Sequence, residues 1–569
     1  MRLKSRTAAF FLVLLLIVTV SGSTFAAESY TGVAEGHNGN LKLEVVIENQ
    51  EIMEINVLES EESDFTDVAF DQVISDIIAT NSTEVDIVSG ATVTSKAIIS
   101  AVKDAVNKAG VTLVARAAVE KEANSDTSTD IVVIGGGGAG LSAAIEASNN
   151  GVDVILVEKN AILGGNTAYA TGGLNAAETK FQKENGIEDD ADLFFEDTML
   201  GGKLKNNALL VNKLTETADE TVAWLTKLGV DLSDVGSLGG ASVSRAHRPT
   251  GGAAVGSHLV DVLVENAKKA GVDIRLSTKA VEVLQSKNKV NGITVENKNG
   301  RYNINAEAVI VATGGFGANS EKVVKFDPSL KGFGTTNAPG ATGDALDFLA
   351  PLNVELVDMK EIQTHPTVVP VKNKMITEAV RGNGAILVNR DAMRFVDELE
   401  TRDVVSEAEL AQEGQTAFLI FDQGVREGLS AIESYYKAGL LTEAESLPAL
   451  AEKMKLDADQ LKATVNKYNG FVKSDNDKDF GRENMKSELT KAPYYAVEVG
   501  PAVHHTMGGV KINLSTEVIN KSGEVIKGLY AAGEVTGGIH GANRLGGNAL
   551  ADITTFGKTA GAKAAEFVK

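Results

Sequence analysis

An α/β architecture on a parallel sheet follows from three stretches of this sequence. The first is 130–158, DIVVIGGGGAGLSAAIEASNNGVDVILVE. Ile131–Ile134 is an apolar run suited to a short buried strand, Leu141–Ser148 continues as a small-residue helix, and Val154–Val157 is a second apolar run ending on Glu158. The second stretch, Glu307-Ala-Val-Ile-Val-Ala-Thr-Gly-Gly315, is another buried strand running into a glycine turn. The third, Gly528-Leu-Tyr-Ala-Ala-Gly-Glu534, is a late strand closing on an acid. Apolar strands joined by a helix argue for a βαβ unit and a parallel sheet.

Between the first strand and its helix the chain spells G-x-G-x-x-G at Gly135, Gly137 and Gly140. Gly135 serves the tight turn, Gly137 lets the backbone approach a pyrophosphate, and Gly140 lets helix and strand pack closely. The helix N-terminus, with free N–H groups and a favourable dipole, takes the negative charge. Glu158 is placed to accept hydrogen bonds from ribose hydroxyls. In a chain with 57 glycines, a loop that merely packs a helix on a sheet is the competing reading. Strand, turn, helix, second strand and acid in the right order favour dinucleotide binding.

The chain has 569 residues, 43% of them hydrophobic, enough for about three domains with cores. It opens with Arg2, Lys4 and Arg6, an apolar stretch Thr7–Val20, and small residues up to Ala26. That pattern predicts a cleaved export signal at 1–26 in preference to a single membrane anchor, for which the run is short. Export would place the protein in a periplasm or at a cell surface. Losing those three basic residues takes the formal charge from −23 to −26, which argues against nucleic acid and anionic lipid as partners. There is no Cys, which excludes disulfides, c-type haem and thiolate-held clusters.

Residues 41–58, LKLEVVIENQEIMEINVL, read as two alternating strands around a turn near Asn49-Gln50. A helix is expected from about Ser95, with Ala97, Ile98, Ala101 and Val102 on one buried face. The hydroxyl-rich loop before it, Ser89-Gly-Ala-Thr-Val-Thr94, is either an anion site or an N-cap. Residues 113–128 read as a polar linker. Residues 203–230 look helical and carry the single Trp, Trp224, as a core residue. Leu276–Leu284 and Val290–Val295 suggest paired strands, and Asp344, in Gly340-Ala-Thr-Gly-Asp344, is a cofactor contact or a turn residue. The expected organisation is 27–112 as a small α+β domain, 129–359 and 504–569 as two parts of the dinucleotide domain, and 360–503 as an inserted α+β unit with several amphipathic helices.

Five separated stretches place basic and hydroxyl groups in and around the insertion. They are His365-Pro-Thr367, Met375-Ile-Thr377-Glu378-Ala-Val-Arg381, Thr401-Arg402-Asp403, His504-His505-Thr-Met-Gly-Gly509 and His540-Gly-Ala-Asn543-Arg544-Leu-Gly-Gly547-Asn548. Four of the seven histidines fall in these pieces. Buried Arg and His in excess of acids call for an anionic ligand. One Arg among glycines is usually a capping or surface group; three Arg and four His are not.

Two resemblances extend this reading. D-x-x-S-G-A-T at Asp86, Ser89, Gly90, Ala91 and Thr92 resembles the flavinylation motif of FMN-binding domains. It implies covalent FMN on Thr92, with Thr94 the alternative, and a flavin transferase for maturation. The stretches HPT, TEAVRGNGAILVN, TRD, HHTMGG and HGANRLGGNA resemble the flavocytochrome c fumarate reductases, within the succinate dehydrogenase and fumarate reductase flavoprotein family. That similarity runs from about Thr129 to the C-terminus; an FMN module stands where those enzymes carry haems, so the electron donor, membrane-bound or soluble, differs.

The second resemblance implies a Rossmann-like FAD domain, a capping domain at 360–503, and electron flow from FMN through FAD to fumarate, giving succinate. It implies non-covalent FAD, because Asn166 stands where the membrane-bound members have the tethering His. Around FAD it places Gly135, Gly137, Ala139, Gly140, Glu158, Asn166, Thr167, Thr171, Gly172, Val281, Asp344, His505, Glu534, Ala549 and Leu550. His504 and Arg544 would hold one substrate carboxylate, with Gly547 nearby, and His365 and Thr377 the other. Met375 would press on the substrate, Arg402 would donate the proton, and Glu378 and Arg381 would resupply it. An arginine is a poor acid in water, with a pKa above about 12, so it must be held close, dry and recharged by a carboxylate. The alternatives are a reductase of another unsaturated acid (urocanate, acrylate or a cinnamate), an oxidase working in the reverse direction, and a dicarboxylate-binding electron-transfer flavoprotein.

Overall fold

The computed structural model describes residues 27–36, 39–60, 62, 67–88, 91–116 and 124–569. The expected export signal at 1–26, Ser89 and Gly90 of the flavinylation motif, and 117–123 of the expected linker lie outside them. The described chain falls into two compact units, one N-terminal and one that holds residues 124–569 together with the short stretches 67–69, 87–88 and 91–92.

The N-terminal unit is a three-stranded antiparallel sheet, Glu28–Glu35, Asn40–Glu48 and Glu51–Ser60, with the helix Thr92–Ala109. In the middle strand Leu41, Leu43, Val45 and Ile47 alternate into the core, as a period of two demands. Asn49 and Gln50 both take positive φ, 50° and 65°, the backbone of a two-residue hairpin turn. Asn81 holds the start of the third strand, accepting from Ile52 N at 2.9 Å and donating to Gln50 O at 3.1 Å. The first strand had no sequence expectation. The helix starts at Thr92, one turn earlier than its apolar face suggested.

The larger unit is built on an eight-stranded sheet. Thr127–Ile134 lies between Val154–Val157 and Gly300–Val311, all parallel, and Val525–Ala531 continues the sheet beyond the last of these. The strand begins inside the expected linker because Thr127, Ser128 and Thr129 already pair with Ile304, Asn305 and Ala306. Lys279–Ser286 and Lys289–Asn297 form the expected antiparallel pair at one edge. The fingerprint helix is Gly138–Asn149. Gly135 has φ 109°, and a Cβ on Gly140 would meet Gly135 O at 1.9 Å, so both positions require glycine. Trp224 packs partly buried on the core, on the helix Ala208–Leu228.

The insertion folds around an antiparallel sheet in the order Lys374–Met375, Ile362–Val369, Tyr494–Thr506, Ala417–Asp422 and Ile386–Val388. Helices Arg402–Leu410, Leu447–Met454 and Ala458–Ser474 belong to it, over their own apolar core. The expected boundary at 503/504 falls within the strand Tyr494–Thr506. Its ladder with Ile362–Val369 runs to Gln363–His505 and Ile362–Thr506, so the strand ends three residues later. No helix among the described residues is long and apolar enough to cross a membrane.

Candidate active site

The site is assembled from a strand, a short helix, a helix start and a glycine-rich loop. On Ile362–Val369 the alternation buries Gln363 and His365 together, two residues apart on one face. Thr377 and Glu378 lead into the helical turn Ala379–Gly382, which carries Arg381. Arg402 opens the helix Arg402–Leu410. His504 lies on Tyr494–Thr506, and Arg544 precedes the C-terminal helix Asn548–Val568.

These groups meet. Arg402 donates from Nε to Glu378 Oε2 at 2.7 Å and from Nη1 to Gln363 Oε1 at 3.1 Å. Arg544 Nη2 donates to the same Gln363 oxygen at 3.1 Å, so one amide carbonyl ties the two guanidinium groups together. Gln363 Nε2 donates in turn to Asn543 Oδ1 and Arg544 O, at 2.6 and 2.7 Å. Glu378 Oε1 accepts from Gly239 N at 2.6 Å, and Arg381 Nη2 lies 3.9 Å from Glu378 Oε2. The His365 and His504 rings meet edge-on at 5.1 Å. Thr377 N donates to the Tyr435 hydroxyl at 3.0 Å, and burial pushes that phenol up to about 12.

Electrostatics follow from burial. Burial alone would raise the Glu378 carboxyl, but the Arg402 and Arg381 cations and the hydrogen bonds it accepts outweigh that and hold it below the usual carboxylate range. Burial and the Arg402 cation pull the Arg544 guanidinium down to about 9. His365, His504 and His505 are pushed well below the ordinary imidazole value, by burial first and by neighbouring Arg cations next. His365 is therefore neutral. Its Nδ1 accepts from Thr367 N at 3.3 Å, which assigns the proton to Nε2, a buried donor with no hydrogen-bond partner among the described residues. Arg381 Nε and Nη2 and Arg544 Nε are also buried without hydrogen-bond partners. Neutral donors and buried guanidinium groups in one place fit an anionic ligand.

The dinucleotide loop fits its cofactor. A Cβ on Gly137 would meet nothing closer than Gly164 O at 3.7 Å, leaving the approach that a pyrophosphate needs. Glu158 Oε2 accepts from Gly136 N and Oε1 from Asn160 N, both at 2.8 Å, and burial raises its carboxyl. Thr167 Oγ1 accepts from Gly138 N at 3.0 Å, next to Ala139 in the first helical turn. Asn166 donates to Asn337 Oδ1 at 2.7 Å and to Glu534 Oε2 at 3.2 Å, and accepts from Ala338 N at 2.7 Å. Thr171 and Gly172 continue that loop, half-buried. His505 Nδ1 lies 3.7 Å from Glu534 Oε1, with His505 Nε2 and Thr313 Oγ1 buried and without hydrogen-bond partners. Gly547, at φ 85°, caps the helix whose first turn holds Ala549 and Leu550.

Other expected residues sit apart from the cluster. Asp344 starts the helix Asp344–Phe348 and pairs with Lys159 at 2.9 Å and Lys279 at 3.4 Å, which satisfies its charge within the protein. Val281 is half-buried at a bulge in the edge strand Lys279–Ser286. Met375 is half-buried on the short strand Lys374–Met375, its backbone paired with Val368. Thr92 is exposed at its helix start, whereas Thr94 is buried and donates its hydroxyl to Glu62, which leaves Thr92 the accessible hydroxyl. Gln363, Tyr435 and Asn337 carry no motif of their own for binding, whereas Gln363's partner Asn543 lies in the His540–Asn548 stretch. Only the two-residue spacing from His365 could have pointed to Gln363.

Comparison with known proteins agrees with this geometry. A family described as FAD binding domain matches residues 130–550, and one described as FMN-binding domain matches 36–107. A "Fumarate reductase (cytochrome)" of Shewanella frigidimarina is 53% identical over 456 residues, 80% of this chain and 80% of its own. The chain belongs to the fumarate reductase flavoprotein family. An "NADH:fumarate oxidoreductase" of Klebsiella pneumoniae is 42% identical over 96% of this chain, which spans 60% of that longer protein. The solved open conformation of a flavocytochrome c3 fumarate reductase superposes with a TM-score of 0.66 at 41% identity, covering 78% of this chain and 79% of that one. This member of the family therefore combines an FAD domain and an FMN domain in one chain.

The buried histidines give a pH prediction. Their folded-state pKa values lie below the unfolded value of about 6.5, so the unfolded chain takes up protons first. Stability is full above that pH and falls as the pH drops through it. Denaturant unfolding between pH 7.5 and 5.5 should show this loss, and His365→Gln should reduce its slope by up to ~1.4 kcal/mol per pH unit. An unchanged slope in the variant would mean that His365 is already protonated in the folded protein.

Proposed function

We propose that the chain is an exported fumarate reductase in which electrons enter through FMN held covalently on Thr92 and reach fumarate through non-covalent FAD. The observation that carries the reading is the Arg402–Glu378 pair, buried at 2.7 Å and joined through Gln363 to Arg544 beside two neutral histidines. His504 and Arg544 bind one carboxylate of the substrate, and His365 and Thr377 bind the other. Bound and reduced, FAD supplies the hydride that adds to one alkene carbon. The negative charge that develops on the other carbon is stabilised by the surrounding guanidinium groups. Arg402 protonates that carbon and is recharged by a proton that Arg381 hands to the Glu378 carboxylate and Glu378 hands to Arg402. The unit at 360–503 acts as a cap that excludes water from these charges.

Covalent FMN on Thr92 is supported by its exposure at a helix N-terminus and by the buried, engaged hydroxyl of Thr94. Export is supported by the basic, apolar and small-residue order of 1–26. The electron donor and the transferase that matures the FMN site are further partners implied by this reading.

Arg402→Ala should lose at least about 10³-fold in kcat, the middle of the range for general acid–base catalysis, with FAD still bound. Steady-state turnover with reduced viologen and fumarate checks this, and near-normal turnover would remove Arg402 from the acid's role. After denaturation, intact-mass measurement should find FMN on the parent chain and none on Thr92→Val, while FAD leaves both. FMN persisting on the variant would move the attachment elsewhere.

A further inference from the structure

The helix Arg402–Leu410 carries a second buried acid that the mechanism above does not use. Glu409 is fully buried in its last turn, and neither carboxylate oxygen has a hydrogen-bond partner among the described residues. It stands seven residues after Arg402, hence on the same helix face and about 10 Å along the axis at ~1.5 Å per residue. Ser406 lies between them on that face, four residues after Arg402 and three before Glu409. It too is buried, and its hydroxyl has no hydrogen-bond partner. Across from this row, Arg381 is electrostatically coupled to Glu409 and to Glu378, and its Nε and Nη2 are buried without hydrogen-bond partners. Polar atoms in such a row are commonly satisfied by ordered water, which also conducts protons. Just beyond Glu409 the chain turns outward: Ala411, Glu413, Gly414 and Gln415 are exposed.

We propose that Glu409 is the proton reservoir behind Arg381, feeding the relay that recharges Arg402 from solvent; this rests on the fumarate-reducing reading above. Per turnover, an Arg402 N–H bond breaks as a C–H bond forms on the substrate. Arg381 passes a proton through the Glu378 carboxylate to the neutral Arg402, and the Glu409 O–H refills Arg381. Water at the exposed turn reprotonates Glu409. One solvent proton ends on carbon, and no electrons move along the relay.

Burial pushes the Glu409 carboxyl well above the ordinary carboxylate range against the opposing Arg381 cation, which favours the protonated form and delays its loss as the pH rises. Of the elements packed on this helix, Ile362–Val369 presents His365 to Arg402 and Arg381, and Tyr494–Thr506 presents His504 to Arg402 and Glu498 to Arg390. Arg381 also feels Arg482 behind it.

The test is the pH profile of kcat for fumarate reduction by flavin-replete parent, Glu409→Gln and Glu409→Asp, with KM, solvent deuterium effect and Tm read alongside. Glu409→Gln should lower kcat by about tenfold near neutrality. It should also abolish the parent's alkaline limb and enlarge the solvent deuterium effect, with KM within about twofold. Glu409→Asp should keep a displaced alkaline limb and part of the rate. Should Glu409→Gln fail to fold, the displaced limb in Glu409→Asp decides. A kcat within about twofold of the parent with an unchanged profile overturns the proposal. So does an equal loss in both variants with unmoved profiles and a lowered Tm, which is what packing alone would give. A parent that reduces another enoate instead of fumarate refutes the substrate reading, and the same profile taken with that enoate still decides Glu409.

Discussion

The structure depends on one buried ion pair. Arg402 and Glu378, 2.7 Å apart and closed to solvent, join a helix of the inserted unit to the turn that carries Arg381. A buried pair of this kind is a weak source of stability, because the desolvation of both ions offsets most of their attraction. Its retention here makes chemical sense. A guanidinium that gives its proton to carbon must be recharged, and Glu378, kept ionised between the Arg402 and Arg381 cations, would conduct a proton from one to the other. Arg544 and Arg402 add positive charge that no nearby carboxylate other than Glu378 is placed to pair by hydrogen bonding, and an anionic substrate resolves that imbalance.

The fold brings these groups together from stretches far apart in the sequence. The parallel strands and their glycine turn form the nucleotide side. The antiparallel sheet of the insertion forms the other side, and the strand Tyr494–Thr506 runs from one toward the other, carrying His504 and His505 at its end. Gln363 then locks strand, helix start and C-terminal loop through four hydrogen bonds, all of them buried. Rigidity of this order lets the neutral histidines and the Arg544 guanidinium hold their places beside the Arg402–Glu378 pair.

Much of this was legible in the sequence where the physics is local. The fingerprint turn is specified by steric needs at Gly135 and Gly140, and the hairpin at Asn49-Gln50 by alternation on either side, so both were found where they stand. The Arg402, Glu378 and Arg544 stretches were found through their motif context. Their mutual geometry required the sheet register, which no local pattern encodes. Gln363 was missed because a glutamine in a strand carries no signal until His365 fixes which face is buried. Glu409 looked like any helical glutamate, since burial of that face is decided by the strands packed on it. Asp344 was left between cofactor and turn, and the lysines that pair with it are distant in sequence. The expected boundary at 503/504 lies inside a strand, because a ladder, not a composition change, sets where that strand ends.

The central claim is that the site is built for both ends of a dianion. Its most direct measurement is kcat/KM for fumarate and for crotonate on the same flavin-replete protein with reduced viologen. Crotonate leaves one set of buried donors without a partner, and sites built to satisfy a polar group reject such analogues by about 10⁴-fold or more. Water filling the empty end softens this, so fumarate should win by at least about 10³. Crotonate within about tenfold of fumarate would contradict the two-ended site and leave Arg402 serving a different unsaturated acid.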